Sequence, residues 1–307
     1  MGRAYRPSGV RVRVPASSAN LGPGFDALGL ALGLYDDVEL SIVSDGLLVE
    51  VTGEGARDVP TDESHLLVRA ARAAFDRLGG QPAGLRLSCT NRIPHGRGLG
   101  SSAAAIVAGV VAASVLADPD AGPRGALSDD ELLSLATELE GHPDNVAACL
   151  LGAGTIAWME GPKAQAVRFH PAADLVPVAF VPTQPLSTEV ARGLLPARVP
   201  HADAAANAGR AALLVHALTT DLSVLLAATE DRLHQAYRAA AMPVSAMLVE
   251  KLRAADIPAV ISGAGATVLA LTSGDGPSVE VLAGYAPAGT AVLPLTVDYC
   301  GAVARPS

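Results

Sequence analysis

Near the start of the chain Val10, Val12 and Val14 alternate with Arg11 and Arg13. That two-residue period predicts a half-buried strand, and Pro15 is expected to stop it. The next stretch, ASSANLGPGFDALGL, is too rich in Gly, Pro, Ser and Asn for a regular element at its start. Val38, Leu40 and Ile42 predict a second strand, and LLVEV near residue 50 a third. HLLVRAARAAFDRLGG repeats apolar residues at helical spacing over 66–78 and ends in Gly79-Gly80, a C-cap signal. GLRLSC then predicts a strand with Leu85, Leu87 and Cys89 on one face. Residues 103–117, AAAIVAGVVAASVLA, are apolar on every side, which predicts a buried helix. The run is shorter than the ~20 residues of a membrane span.

Ser128 and Glu131 form a capping box ahead of Leu132, Leu133, Leu135, Ala136 and Leu139. That helix is expected to end near Gly141-His142-Pro143. LVPVAFVPTQP at 175–185 is an apolar strand between prolines and the expected start of a second half. Helical stretches follow near 188–195, 204–218 and 244–254. AVIS and TVLALT read as strands flanking a turn at Gly263 and Gly265. The mixed order predicts an α+β fold divided near residue 170, into 1–170 and 171–307.

The length of 307 residues suits one large domain or two. Half of the residues are hydrophobic and 17% are charged, which excludes a disordered chain. A net charge of −9 argues against nucleic-acid or anionic-membrane partners, and 3% aromatics leaves little for base stacking. Cys89, Cys149 and Cys300 lie far apart, without disulfide framework or CxxC spacing, as expected for a cytoplasmic protein. The N-terminal stretch MGRAYRPSGVRVRV has no apolar core, so no signal peptide is expected there.

Chemistry concentrates at Pro94-His95-Gly96-Arg97-Gly98-Leu99-Gly100-Ser101-Ser102, which runs into Ala103 and Ala104. Alternate glycines let the backbone wrap closely around a ligand, and the helix that follows offers unpaired amides and a positive dipole end. Together these predict a phosphate seat. Ser101 and Ser102 add hydroxyls for phosphate or metal, and Arg97 a planar donor at the rim. The spelling matches neither GxxxxGK[ST] nor GxGxxG.

PHGRGLGSSAAA resembles the phosphate-binding motif of the GHMP small-molecule kinases. VPASSANLGPGFDALGLAL resembles their first motif in its homoserine-kinase form, and ISGAGATVLAL their third, a glycine turn that helps close the site. Ala266 stands where the family usually has proline. The resemblance covers nearly the whole chain. It implies an N-terminal domain like ribosomal protein S5 domain 2, a ferredoxin-like C-terminal domain, ATP as phosphoryl donor and Mg²⁺. The homoserine-kinase form further implies L-homoserine as substrate and O-phospho-L-homoserine, a step toward threonine, as product. Residues 94–104 would hold the nucleotide, and Gly265 would lie beside the substrate.

L-Homoserine is a zwitterion with a primary alcohol, so it needs an acid, a guanidinium and neutral polar groups. Asp26 is the natural ammonium partner and Asn20 a hydroxyl-side contact, although an Asx-turn accounts for the same residues. Glu140-Gly141-His142-Pro143-Asp144-Asn145 resembles the family's EGHPDN segment. Glu140 is badly placed at a helix end, a position more understandable for a metal ligand acting with Ser101 or Ser102. Glu138 is a second candidate. Asn145 would face the reacting hydroxyl and His142 would line the pocket. Asp144 is the only carboxylate there free to act as base; a polar cap on a turn is the alternative. Thr188 with Arg192, four apart, and Arg238 resemble the family's substrate positions, though each arginine alone reads equally as a solvated residue. His65 stands where homoserine kinases generally show asparagine near the adenine. Two other functions fit the scaffold: a GHMP kinase for a mevalonate-like alcohol or a sugar, and a non-catalytic nucleotide-binding regulator. The apolar C-terminal half is compatible with a homodimer.

Overall fold

The computed structural model describes Tyr5 and residues 8–307. Two sheets organise them. The first holds β1 (Gly9–Ala19), β2 (Leu28–Val43), β3 (Gly46–Gly53), β4 (Gly84–Asn91), β5 (Gly154–Glu160), β6 (Lys163–Phe169) and the returning β11 (Val303–Pro306). The second holds β7 (Leu175–Pro182), β8 (Ala259–Ile261), β9 (Val268–Ser273) and β10 (Thr290–Pro294). The helices over the first sheet are α1 (Leu66–Arg77), α2 (Ser101–Ala117), α3 (Asp129–Glu140) and α4 (Asp144–Leu151). The second half carries α5 (Thr188–Gly193), α6 (His201–Thr219), α7 (Leu225–Ala228), α8 (Gln235–Arg238), α9 (Pro243–Ala254) and α10 (Val279–Ala283).

The long β2 is the spine of the first sheet. One edge pairs with β1 along most of its length, while the other pairs with β5 at 28–30 and with β4 at 37–43. The predicted alternation holds in β1, where Val10, Val12 and Val14 are buried and Arg11 and Arg13 are exposed. Pro15 does not stop the strand, and residues 16–19 are regular despite their composition. The ladder shifts register at Pro15–Ala16, and the β11 pairing has already ended at Arg13. A bulge without a second neighbour tolerates the missing N–H.

α2 is buried from Ala103 to Ala117 except for half-buried Ala105. Gly109 lets α1 approach its backbone, since a Cβ there would lie 2.5 Å from the Leu67 carbonyl oxygen. The capping box of α3 is present, and Gly141 (φ 95°) ends that helix in the left-handed conformation. Asp144 and Asn145 then open α4, a helix that the polar EGHPDN segment did not announce.

The second sheet is antiparallel, in the order β10-β7-β9-β8. With helices between β7 and β8 and between β9 and β10, this is the ferredoxin-like βαββαβ arrangement. The change of sheet falls between β6 and β7, across residue 170, and β11 then rejoins β1. Gly109→Ala is expected to destabilise the protein by about 1–3 kcal/mol, because backbone rather than a flexible side chain must move. Urea denaturation of the two proteins side by side measures the loss.

Candidate active site

The loop at 94–100 holds Gly96, Gly98 and Gly100 at φ of 65°, 79° and 72°. At Gly98 a Cβ would strike the Ser262 carbonyl oxygen and lie 2.8 Å from that of Gly265. Only glycine permits this approach. Ser262 Oγ donates to the Gly98 carbonyl at 2.6 Å and lies 2.8 Å from Ser18 Oγ. Gly263 N–H donates to the Ala19 carbonyl at 3.0 Å, and Thr267 N–H to that of Arg97 at 3.1 Å. The end of β1, the glycine loop and the turn before β9 therefore form one rigid unit. No side chain caps α2, and the Ala104 amide reaches back to the Gly100 carbonyl at 2.9 Å. The amides of residues 101–103 are left facing the mouth of the loop.

That mouth opens on a polar cavity of about 110 Å³. Asn20, Gly96, Gly98, Gly100, Ser101 and Ser102 line one side. Glu140, His142, Asp144 and Asn145 come from the α3–α4 turn, and Thr188, Arg192 and Arg238 from the second half. Gly263 and Ala264 face the cavity, whereas Gly265 sits behind the turn, against Met242 and Ile261. The peptide joining Gly265 to Ala266 is cis. Of the two candidate metal carboxylates, Glu140 lines the cavity, while Glu138 is exposed and paired with Arg77 at 3.0 Å. Pro94, Leu99 and Ala103 are buried beneath the loop as its support, and Ala104 lines a neighbouring cavity. Arg97 does not line this cavity: its guanidinium donates to the carbonyls of His95, Pro182 and Thr183 at 2.7–2.9 Å, bracing the loop against β7.

Several polar groups are already committed. Asn20 donates to the Gly263 carbonyl at 2.8 Å and accepts from Asp26 N–H at 2.9 Å, so its amide shapes the loop. Asp26 is held bidentately by Arg192, at 2.7 and 3.1 Å. This bond raises the Arg192 pKa. Glu140 accepts from Ser102 Oγ at 2.7 Å, and burial pushes its carboxyl above the ordinary range. Asp144, only 2% exposed, lies within the turn and accepts from Asn145 N–H at 2.7 Å, with His142 Nδ1 at 3.1 Å. That contact raises the His142 pKa above its ordinary value. Asn145 accepts from Ser17 Oγ at 2.9 Å, which leaves its NH₂ to donate to a ligand.

Arg238 is buried to 1% exposure. Its bonds go to neutral acceptors alone: the Ala191 carbonyl, the Gly263 carbonyl and His234 Nδ1. Burial lowers its pKa. Phe25 lies under both arginines, with Arg238 Cζ 5.3 Å and Arg192 Cζ 5.9 Å from the ring centre. Sequence reasoning missed Phe25, Ser17 and His234. The signals available were an aromatic next to Asp26 and a histidine four residues before Arg238.

A second cavity, of about 260 Å³, meets the first at Ser101 and Ser102. It is largely apolar, with Val14, Val38, Pro60 and Leu66 in its wall. His65 is buried there, and its Nδ1 has no partner among the described residues. Burial keeps that imidazole below its ordinary pKa. A larger concavity of about 750 Å³ lies on the outer face of the first sheet, among the ion pairs Arg11–Glu39 and Arg13–Asp37. It shares no residue with the loop.

The "GHMP kinases N terminal domain" family model matches residues 65–153. Homoserine kinase of Streptomyces avermitilis is 62% identical over 305 residues, which cover 99% of this chain and 98% of that one. The crystal structure of homoserine kinase from Cytophaga hutchinsonii matches with a TM-score of 0.83 at 27% identity, over 99% of this chain and 100% of its own. Mevalonate diphosphate decarboxylase from Enterococcus faecalis shares the fold alone, with a TM-score of 0.70 at 15% identity over 98% and 100% of the two chains. The glycine loop, the motif order and these full-length likenesses agree, and the chain belongs to the homoserine kinases of the GHMP kinase family.

Proposed function

We propose that the protein transfers the γ-phosphoryl group of ATP to the hydroxyl of L-homoserine, giving ADP and O-phospho-L-homoserine on the way to threonine. The observation that carries the reading is the charge set of the small cavity. Arg238, a buried guanidinium without a carboxylate partner, opens on the same space as the unpaired amides of α2. A substrate carboxylate supplies the missing anion. Beside it the Asp26–Arg192 pair reproduces the two charges of an amino acid. Homoserine can exchange with this pair, giving its ammonium to Asp26 and its carboxylate to both arginines.

The two joined cavities, one apolar and one polar, suit the two ends of a nucleotide. The adenine would take the apolar slot beside His65, the phosphates would meet the loop amides, and the γ-phosphoryl would reach the polar cavity across Ser101 and Ser102. The fit to Mg²⁺ rests on the donor set. Glu140, Ser101 and Ser102 offer oxygen alone, and the half-buried Glu140 carboxyl has no cationic bond partner. Among the described residues no group of three His, Cys, Asp or Glu side chains is placed to hold a metal, so phosphate oxygens and water would complete the shell. An ion there would neutralise charge on the transferring phosphoryl group. Phosphoryl transfer depends mainly on positioning and charge. Asn145 aims the hydroxyl, Asp144 holds Asn145 and His142 in place, and Arg192 and Arg238 fix the far end of the substrate. The three free cysteines, two of them buried, suit a reducing cytoplasm. No helix of the described residues is long and apolar enough to cross a membrane.

A coupled ADP-release assay with L-homoserine, mevalonate and galactose is expected to show turnover of homoserine alone. ATP binding without turnover of any of the three would instead indicate a regulator. Glu140→Ala is expected to lower kcat by about 100-fold or more, and Asp144→Ala by much less, because Asp144 acts by positioning. Steady-state kinetics of both variants check this, and the reverse order would overturn the metal assignment.

His142 binds its proton more tightly in the folded protein than in the unfolded chain. Its contribution to stability is therefore present at acid pH and lost as pH rises through the raised value. NMR titration is expected to find His142 above its ordinary pKa, and Asp144→Asn is expected to lower it.

A further inference from the structure

His234 lies outside the residues with an expected role, yet it is fully buried between the substrate loop and Arg238. Its Nε2 is 2.8 Å from the Gly22 carbonyl oxygen, which has no proton to give. Nε2 must therefore carry the hydrogen and donate it, and Nδ1 is left with a lone pair. That lone pair faces Arg238 Nη1 at 3.1 Å. The ring also stacks on Phe25, with centres 5.1 Å apart and planes 25° from parallel. Its backbone is anchored by Asp231, whose Oδ2 accepts from the amides of His234 at 3.1 Å and Gln235 at 2.8 Å. The remaining acceptors of Arg238 are two backbone carbonyls at 3.2 and 3.4 Å. The imidazole is the shortest of its three bonds and the one that ties it to the loop of Asp26.

We propose that His234 is a positioning residue for the amino-acid substrate: a neutral imidazole, protonated on Nε2, that locks the Arg238 guanidinium against Phe25 in the orientation that receives the substrate carboxylate. The inference rests on the reading of Arg238 as a carboxylate ligand. A proton on Nδ1 would remove the acceptor and set two cations against each other. Burial opposes that proton by holding the His234 pKa below its ordinary value.

The test compares full-length His234→Phe and His234→Asn with the unmodified protein. Phenylalanine keeps the stack on Phe25 and loses both hydrogen bonds, whereas asparagine offers an amide oxygen near the place of Nδ1. His234→Phe is expected to raise KM for homoserine by about tenfold or more, the size of one hydrogen bond to a charged group. KM for ATP and kcat are expected to stay within about twofold, and His234→Asn is expected to recover most of the loss. An unchanged KM for homoserine, a parallel rise in KM for ATP, or a loss that asparagine does not recover would overturn the proposal. Nitrogen-15 NMR of the unmodified protein reads the ring directly and does not depend on any variant folding. A neutral ring with hydrogen on Nε2 is expected, and hydrogen on Nδ1 would overturn the proposal. Arg238→Met, assayed in parallel, separates the two readings. An unchanged KM for homoserine in that variant would remove the carboxylate assignment, while the ring measurement still reports whether His234 accepts from Arg238.

Discussion

The constraint on which the molecule depends is the burial of α2. Beyond the two serines that open it, this helix is almost wholly Ala, Val, Ile, Leu and Gly and has no polar face to show to water, so its neighbours enclose it from Ala103 onward. Its first amides cannot be paired within the helix and open at one end of the core. The dipole of the helix adds positive potential there, in a protein that is negative overall. β1, the α3–α4 turn and the turn before β9 all converge on this end. Gly98 is their point of closest contact, where two backbones meet without an intervening side chain.

Selectivity is set by the groups gathered around that end rather than by the scaffold. A decarboxylase with 15% identity shares the architecture, which shows how little the fold alone says about chemistry. The cavity contains two arginines in different states. Arg192 is neutralised by Asp26 across half-exposed surface, whereas Arg238 is buried among neutral acceptors and stays short of an anion. Phe25 lies against both guanidinium groups. A ligand with one charge satisfies half of this arrangement, and one with both charges satisfies all of it.

Much of this was legible in the chain. The alternation of β1, the amphipathic α1, the apolar α2 and the capping box of α3 arise from local chemistry, and the structure shows each of them. The glycine loop was legible because three spaced glycines before a small-residue helix have few other uses. The hidden parts depend on distant partners. β5 and β6 mix alanine with Trp158, Gln165 and Lys163 and pair chiefly with each other at a sheet edge, so their alternation is weak. Pro15 looked like a stop because the end of the β11 ladder is not visible locally. Arg97 reads locally as a donor at the rim, because the carbonyls of Pro182 and Thr183 that engage its guanidinium lie more than eighty residues away in the chain. His234 gave no periodic signal, since its meaning comes from Gly22, more than two hundred residues earlier in the chain.

The return of β11 has a consequence for synthesis. Residues 10–13 find their outer neighbour in residues 303–306, which are synthesised almost three hundred residues later. Until those residues are made, that flank of β1 stays an open hydrogen-bonding edge, of the kind that invites pairing with other nascent chains. Arg11 and Arg13 project from the same stretch, each paired with a carboxylate of β2, so charged side chains rather than apolar ones flank this edge until residues 303–306 close it.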